Sequence, residues 1–286
     1  MLEHVDRIQI AVTDREAATQ TFADTFGAVK LRDDAVRALA AKRTVLHAGT
    51  SEIELLEPDG VGPVQAYVNA WGEGLFAAGF STNDVNALAT RLQAKGVAFT
   101  SEREQLYIAP DQTPGLRMVI SPERARPMQG IMRYIYEATN LIEDHRAAAD
   151  FYADRSGLDQ SRFCPIDSKA FGYTGQLTRF NPPERLDRIE LSQITDPQKA
   201  MGRFMTRRGG ETLYMCYWET EAIEPVIERL EKRGARYSYD PERQKQTNMF
   251  LHPATNHGVL MGISRTNVAW SWSGEPQLAP ADAAAH

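Results

Sequence analysis

The chain repeats itself, and that repeat limits the folds open to it. RIQIAVTDREAATQTFADTFGA (Arg7–Ala28) matches YIYEATNLIEDHRAAADFYADRSGL (Tyr134–Leu158), and SEIELLEP (Ser51–Pro58) matches DRIELSQI (Asp187–Ile194). DVNALATRLQAKGVAF (Asp84–Phe99) pairs with AIEPVIERLEKRGARY (Ala222–Tyr237), and YIAPDQTPGLRMVI (Tyr107–Ile120) with FLHPATNHGVLMGI (Phe250–Ile263). The matches keep their order. Their offset grows from 127 at Ala11/Ala138 to 143 at Gly115/Gly258, as loop insertions in a duplicated unit would produce. Whatever one half folds into, the other half must also fold into.

Each copy has the same internal grammar. Alternating Ile8, Ile10 and Val12 read as a strand, and an amphipathic helix over Arg15–Phe26 follows, stopped by Gly27. Strands are expected at Thr44–His47 and Ile53–Leu56, then at Ala77–Ser81. A second helix, Val85–Lys95, ends at Gly96, and two or three strands close the unit. Each copy is thus two βαβββ pieces, and four modules with tight turns predict an α+β fold with open, mixed, mostly antiparallel sheets. The expected domains are 1–124 and 132–266. The linker at 125–131 lies in the Pro- and Arg-rich stretch Ser121–Gly130, and a loose tail is expected over 267–286.

Composition narrows the function. In 286 residues the formal net charge is −6 and the pI about 5.6, which argues against nucleic-acid or anionic-membrane partners. No apolar run approaches the ~18 residues of a membrane-crossing helix. The start, MLEHVDRIQIAV, lacks the basic region of a secretory signal. Cys164 and Cys216 are isolated, so two plain buried thiols and a cytoplasmic setting are expected. No G-x-x-x-x-G-K-[ST], G-x-S-x-G or H-E-x-x-H occurs. A small-molecule ligand is the expected partner, and the sequence leaves a homodimer open.

DRIQIAV followed by a helix, IELLEP, the strand–helix GFSTNDVNALATRLQAKG and FLHPATNHGVLMGI together resemble the vicinal oxygen chelate superfamily. That superfamily includes glyoxalases, methylmalonyl-CoA epimerases, extradiol dioxygenases and bleomycin-resistance proteins. The resemblance covers about residues 5 to 265, and with four modules it is most like the two-domain members. It implies two tandem domains, each a sheet around a cavity that usually holds a divalent metal. The family's four ligand positions fall on Arg7, Glu54, Ala77 and Val119 in the first copy. In the second they fall on Tyr134, Glu190, Met215 and Gly262. Only the glutamates keep a ligand type, and a catalytic divalent ion needs about three protein ligands. The resemblance therefore implies the fold while disfavouring the metal, and no cofactor is expected.

Candidate residues follow from the second copy. Glu190 lies in an apolar IEL stretch at an inward position, where a carboxyl would have a raised pKa and could act as a base, unless it pairs with Arg188. Tyr134 and His252 are the expected proton donors or oxyanion partners, with Tyr136, Met215 and Tyr217 lining the substrate. The bland alternatives are packing for the tyrosines and a turn cap for His252. Arg7 and Glu54 read as a structural ion pair in the first copy, and His257 and His145 as exposed. The reading is a metal-independent lyase, isomerase or epimerase acting on a small aromatic or oxygenated substrate. Two alternatives are a sequestering protein without turnover, and a metal-dependent dioxygenase or lyase with ligands relocated to Glu190, His252 and a tyrosinate.

Overall fold

A computed structural model describes residues 1–180, 185–238 and 247–283. The first copy runs β1 (Val5–Ala11), α1 (Arg15–Phe26), β2 (Val29–Val36), β3 (Ala41–Ala48) and β4 (Ser51–Pro58). It continues through α2 (Pro63–Trp71), β5 (Gly74–Thr82), α3 (Val85–Ala94), β6 (Thr100–Glu102), β7 (Gln105–Ile108) and β8 (Met118–Pro122). The second copy runs β9 (Met132–Ile142), α4 (His145–Ser156), β10 (Cys164–Ser168), β11 (Tyr173–Arg179), β12 (Arg188–Ile194) and α5 (Ala200–Arg208). It closes with β13 (Thr212–Thr220), α6 (Glu224–Lys232), β14 (Tyr237–Ser238), β15 (Asn248–Leu251) and β16 (Leu260–Arg265).

Each copy is one eight-stranded sheet, ordered β2-β3-β4-β1-β5-β8-β7-β6 and β10-β11-β12-β9-β13-β16-β15-β14. The two modules of a copy meet at an antiparallel central pair, β1/β5 or β9/β13. Parallel pairs β1/β4 and β5/β8 flank the first, and β9/β12 and β13/β16 the second. This is the mixed, mostly antiparallel α+β architecture that the repeat predicts.

The helix boundaries show why the copies fold alike, and they correct the alignment. Asp14 caps α1 by accepting from the N–H groups of Glu16 and Ala17, and Asp144 caps α4 from those of Arg146 and Ala147. Gly27 and Gly157 end the two helices at φ 70° and 73°, a left-handed turn that glycine takes without a Cβ clash. Both pairs are 130 residues apart, whereas the sequence comparison uses 127 at this point. Sheet register agrees with the caps: Arg7 lies opposite Glu52 and Gly79, and Glu137 lies opposite Arg188 and Tyr217. The counterpart of Arg7 is therefore Glu137, not Tyr134.

A helix also appears in each copy that the strand–helix pattern does not predict, α2 and α5. Their sequences, PVQAYVNAW and AMGRFMTRR, do not resemble each other, so the repeat does not mark them. In α2 the signal is in its ends, with Pro63 in the first turn and Gly72 after the last.

One hydrophobic core spans both copies. It takes Ile8 and Ile10 from β1, Ile135 and Ala138 from β9, Phe22 and Phe26 from α1, and Val226 and Leu230 from α6. Phe26 and Trp218 meet across the copies at 5.4 Å between ring centroids. The segment expected to be a loose tail is packed instead. Ala269 and Trp270 are buried with Tyr134 and Tyr136, and Arg265 bonds Asp282 at 2.7 Å. The last three residues, 284–286, lie outside the described residues. Cys164 and Cys216 are free and buried. No helix among the described residues is long and apolar enough to cross a membrane.

Candidate functional site

The sheet faces turned away from the shared core carry the polar residues. In the first copy that face is closed by charge. Arg7 donates Nη1 to Glu52 and Glu54 at 2.7 Å each, and its Nη2 to Asp6 at 2.8 Å. Gln9 and Arg43 reach the other Glu54 oxygen at 2.7 and 3.2 Å. Glu54 is fully buried. Burial alone would raise its pKa, but Arg43 and Arg7 overcome that and hold the carboxyl down to about 2. The ion pair expected of Arg7 and Glu54 is present, widened into a network. Arg7 also lies over Gly79, where a Cβ would come within 1.9 Å of its Cγ.

The second copy has the same register with the charges exchanged. Glu137 on β9 accepts from Arg188 Nε on β12 at 2.7 Å, where Arg7 on β1 donates to Glu52 on β4. Thr139 takes the other Glu137 oxygen at 2.7 Å. Arg188 is fully buried, donates Nη1 to Ser273 at 2.8 Å, and stacks over Tyr136 at 5.0 Å. Its Nη2 is buried with no hydrogen-bond partner among the described residues.

Glu190 sits one row along, opposite Thr139 and, beyond it, Met215. It accepts from Ser192 at 2.7 Å and is hydrogen-bonded by Tyr173. Arg188, the alternative salt-bridge partner, is bonded to Glu137. Burial, then the like charge of Glu137, push the Glu190 carboxyl well above the usual range, and the bond from Ser192, the Arg188 charge and the bond from Tyr173 offset this only in part. Burial also raises the Tyr217 and Tyr173 phenols, reinforced by the Glu190 and Glu137 charges beside them. Tyr217 packs 5.8 Å from both Tyr136 and Phe250, and its ring fills the space over Gly262, where a Cβ would stand 2.2 Å from the ring. Gly262 thus gives up a ligand position to admit an aromatic ring.

Of the predicted residues, Glu190, Tyr136, Met215 and Tyr217 share one face. Tyr136 is fully buried with its hydroxyl on Ser264 at 3.0 Å, Met215 is buried, and Tyr217 is half-buried. Tyr134 and His252 are not brought to Glu190. Tyr134 hydrogen-bonds Glu219 and lies under the Arg185 guanidinium at 4.0 Å, because the bulge at Tyr136 shifts the strand register there. His252 is exposed and caps the turn after β15, accepting from the Ala254 N–H at 3.1 Å. It lines a cleft of about 760 Å³ between α2 and α5 that does not include Glu190. His257, expected exposed, is half-buried and joins the two copies, bonding Glu73 at 2.8 Å and Thr21 at 3.0 Å. His145, also expected exposed, bonds Gln193 at 2.8 Å. The sequence reading misses Glu137, which a register anchored on the Asp14 and Asp144 caps would have found.

The residues do not fit the divalent ion usual on this fold. The four ligand positions of the second copy are Glu137, Glu190, Met215 and Gly262, and both Glu137 oxygens already accept from Arg188 and Thr139. In the first copy Glu54 is surrounded by arginine and glutamine donors. Among the described residues no group of three His, Cys, Asp or Glu is placed to hold a metal.

Two duplicated eight-stranded sheets, each with this row of inner-face positions, define a two-domain vicinal oxygen chelate fold. Residues 6–111 match the sequence model of the Glyoxalase/Bleomycin resistance protein/Dioxygenase superfamily. Over the whole chain, the fold is similar to a substituted 4-hydroxymandelate synthase from Streptomyces coelicolor, with a TM-score of 0.70, 14% identity and 92% of each chain covered. It is also similar to a xylose isomerase-like TIM barrel/4-hydroxyphenylpyruvate dioxygenase fusion protein, with a TM-score of 0.59 and 13% identity. That match covers 93% of this chain and 49% of the other. These likenesses define the fold. No curated protein matches the sequence.

Proposed function

We propose that the C-terminal domain carries an acid–base site without the family's usual metal, acting on a small oxygenated or aromatic molecule as an isomerase, epimerase or lyase. The observation that carries this reading is Glu190, a buried carboxyl whose neighbouring cation is bonded to another acid. A carboxyl in that setting exchanges its proton near neutral pH, as a general acid or base requires. Glu190 would take a proton from carbon beside a carbonyl and return it, or pass it to a leaving oxygen. The spare Nη2 donor of Arg188 and the Tyr217 phenol supply polarity for the charge developing on the substrate oxygen. Tyr217 and Phe250, both half-buried, offer apolar surface to a flat substrate. Tyr134 and His252 have no part in this reading, since each is committed elsewhere. In the first domain, Glu54 held at about 2 by two arginines is unsuited to the same task.

The test is solvent-deuterium incorporation into a panel of enolisable acids and ketones, followed by NMR with chelator-treated protein. Exchange into at least one compound, lost in Glu190→Gln, is expected. Exchange that survives Glu190→Gln unchanged, or stoichiometric metal required for it, would overturn the reading.

A further inference from the structure

The cleft between α2 and α5 has a composition that neither the fold nor the Glu190 site uses. Two helix faces meet there. On α2, Tyr67 and Trp71 are one turn apart and share a face, and on α5 Arg203, Phe204, Arg207 and Arg208 do the same. The Arg208 guanidinium lies 4.6 Å from the Trp71 ring, 5.0 Å from Phe204 and 5.1 Å from Tyr67, and donates to the Tyr67 hydroxyl at 3.1 Å. It is therefore oriented and partly desolvated before any ligand arrives. Arg203 and Arg207 point from the same helix, exposed, and neither has a carboxylate within ion-pair distance among the described residues. Glu73 is the acid of this cleft, and its oxygens already accept from Thr13 and His257.

Arginines in the last turn of a helix interact favourably with its dipole, which accounts for Arg207 and Arg208 in part. That does not account for Arg203 in the first half of α5, nor for the aromatic wall of α2 facing all three. In a chain of net charge −6, three arginines without acidic partners concentrated on one 760 Å³ cleft form a local positive field. Guanidinium groups bind carboxylate and phosphate through paired N–H donors, and rings bind rings.

We infer that this interdomain cleft binds a small aromatic molecule bearing a carboxylate or phosphate, at a site separate from Glu190. The ring stacks on Trp71 and Phe204, and the anion sits between Arg203 and Arg207, with Arg208 fixing the wall.

Titration calorimetry of the full chain with naphthoate, naphthyl phosphate, naphthamide and inorganic phosphate tests this, with Trp71 fluorescence read in parallel against Trp71→Phe. The two aromatic anions should bind at least tenfold more tightly than the neutral amide and than phosphate alone, and whichever anion is tighter identifies the natural group. An Arg203→Gln/Arg207→Gln double variant, altered only at exposed side chains, should lose at least tenfold in affinity with an unchanged unfolding midpoint. Equal binding of amide and anion, unchanged affinity in the double variant, or binding of none of the four probes would each refute the site.

Discussion

Replacing Glu54 by glutamine tests the electrostatic account of the first domain most directly. The side chain is fully buried, so solvent screening does not dilute the effect. Its carboxyl is held at about 2 instead of 4.5 by Arg43 and Arg7. At ~1.4 kcal/mol for each tenfold change, that depression is worth roughly 3 kcal/mol of stability at neutral pH. Adding a contribution for the raised arginines would count the same ion pairs twice. The folded carboxyl titrates below the unfolded one. Its contribution is therefore complete above the unfolded value near 4.5 and disappears as the pH falls toward 2. Glu54→Gln should thus unfold about 3 kcal/mol more easily than the parent chain near pH 7, with the gap closing in acid. Urea titrations followed by circular dichroism at several pH values between neutral and ~3 measure both quantities. A gap that stays constant down to the acid limit, or one under ~1 kcal/mol at neutral pH, would show that the arginines do not stabilise this carboxylate as argued.

Three further outcomes follow from the second domain. The Glu190 carboxyl is raised by burial and by Glu137 to about 8, so the contribution of its neutral form is complete below the unfolded value near 4.5 and is lost as the pH rises to about 8. Glu190→Gln should match the parent chain in thermal unfolding below pH ~4.5 and melt higher than it above pH ~8. Gly262→Ala drives a methyl to 2.2 Å from the Tyr217 ring and should destabilise by roughly 1–3 kcal/mol. Pairing it with Tyr217→Ala should remove most of that penalty, and denaturant titration of the double-mutant cycle reads the coupling. Trp270→Ala opens the buried cluster with Tyr134 and Tyr136 and should cost about 3–5 kcal/mol in urea, whereas a loose tail would show no change.

Much of the fold could be read from the repeat, because duplicated helices with Asp caps and Gly stops leave strong local marks. Two kinds of feature escaped. The helices α2 and α5 have dissimilar sequences, so the repeat does not mark them and the signal in α2 is confined to end residues such as Pro63 and Gly72. The packed segment after Arg265 forms only short 3-10 turns, Val268–Trp272 and Pro276–Leu278, and its order depends on contacts that only folding creates, such as Trp270 against Tyr136 and Ser273 against Arg188. Neither is a matter of propensity.

The site was legible only as far as the register was right. Counting back from Ala11 and Ala138 puts Tyr134 opposite Arg7, and the charge exchange between the copies then cannot be seen. With Glu137 in that position, the two domains carry the same strand-to-strand ion pair with its signs reversed, Arg7–Glu52 and Glu137–Arg188, each at 2.7 Å. The reversal decides the fate of the glutamate common to both. In the first copy the arginine is on β1, beside β4, and it reaches Glu54 as well as Glu52. In the second the arginine is on the glutamate's own strand and bonds across to Glu137, so at Glu190 the like charge of Glu137 outweighs the cation. One residue type at one register position is thus fixed as an anion in the first domain and left able to exchange a proton in the second. The I-E-L triplet is the same at both positions; the residue two before the glutamate, Glu52 or Arg188, differs, and only the pairing of strands shows what that difference does.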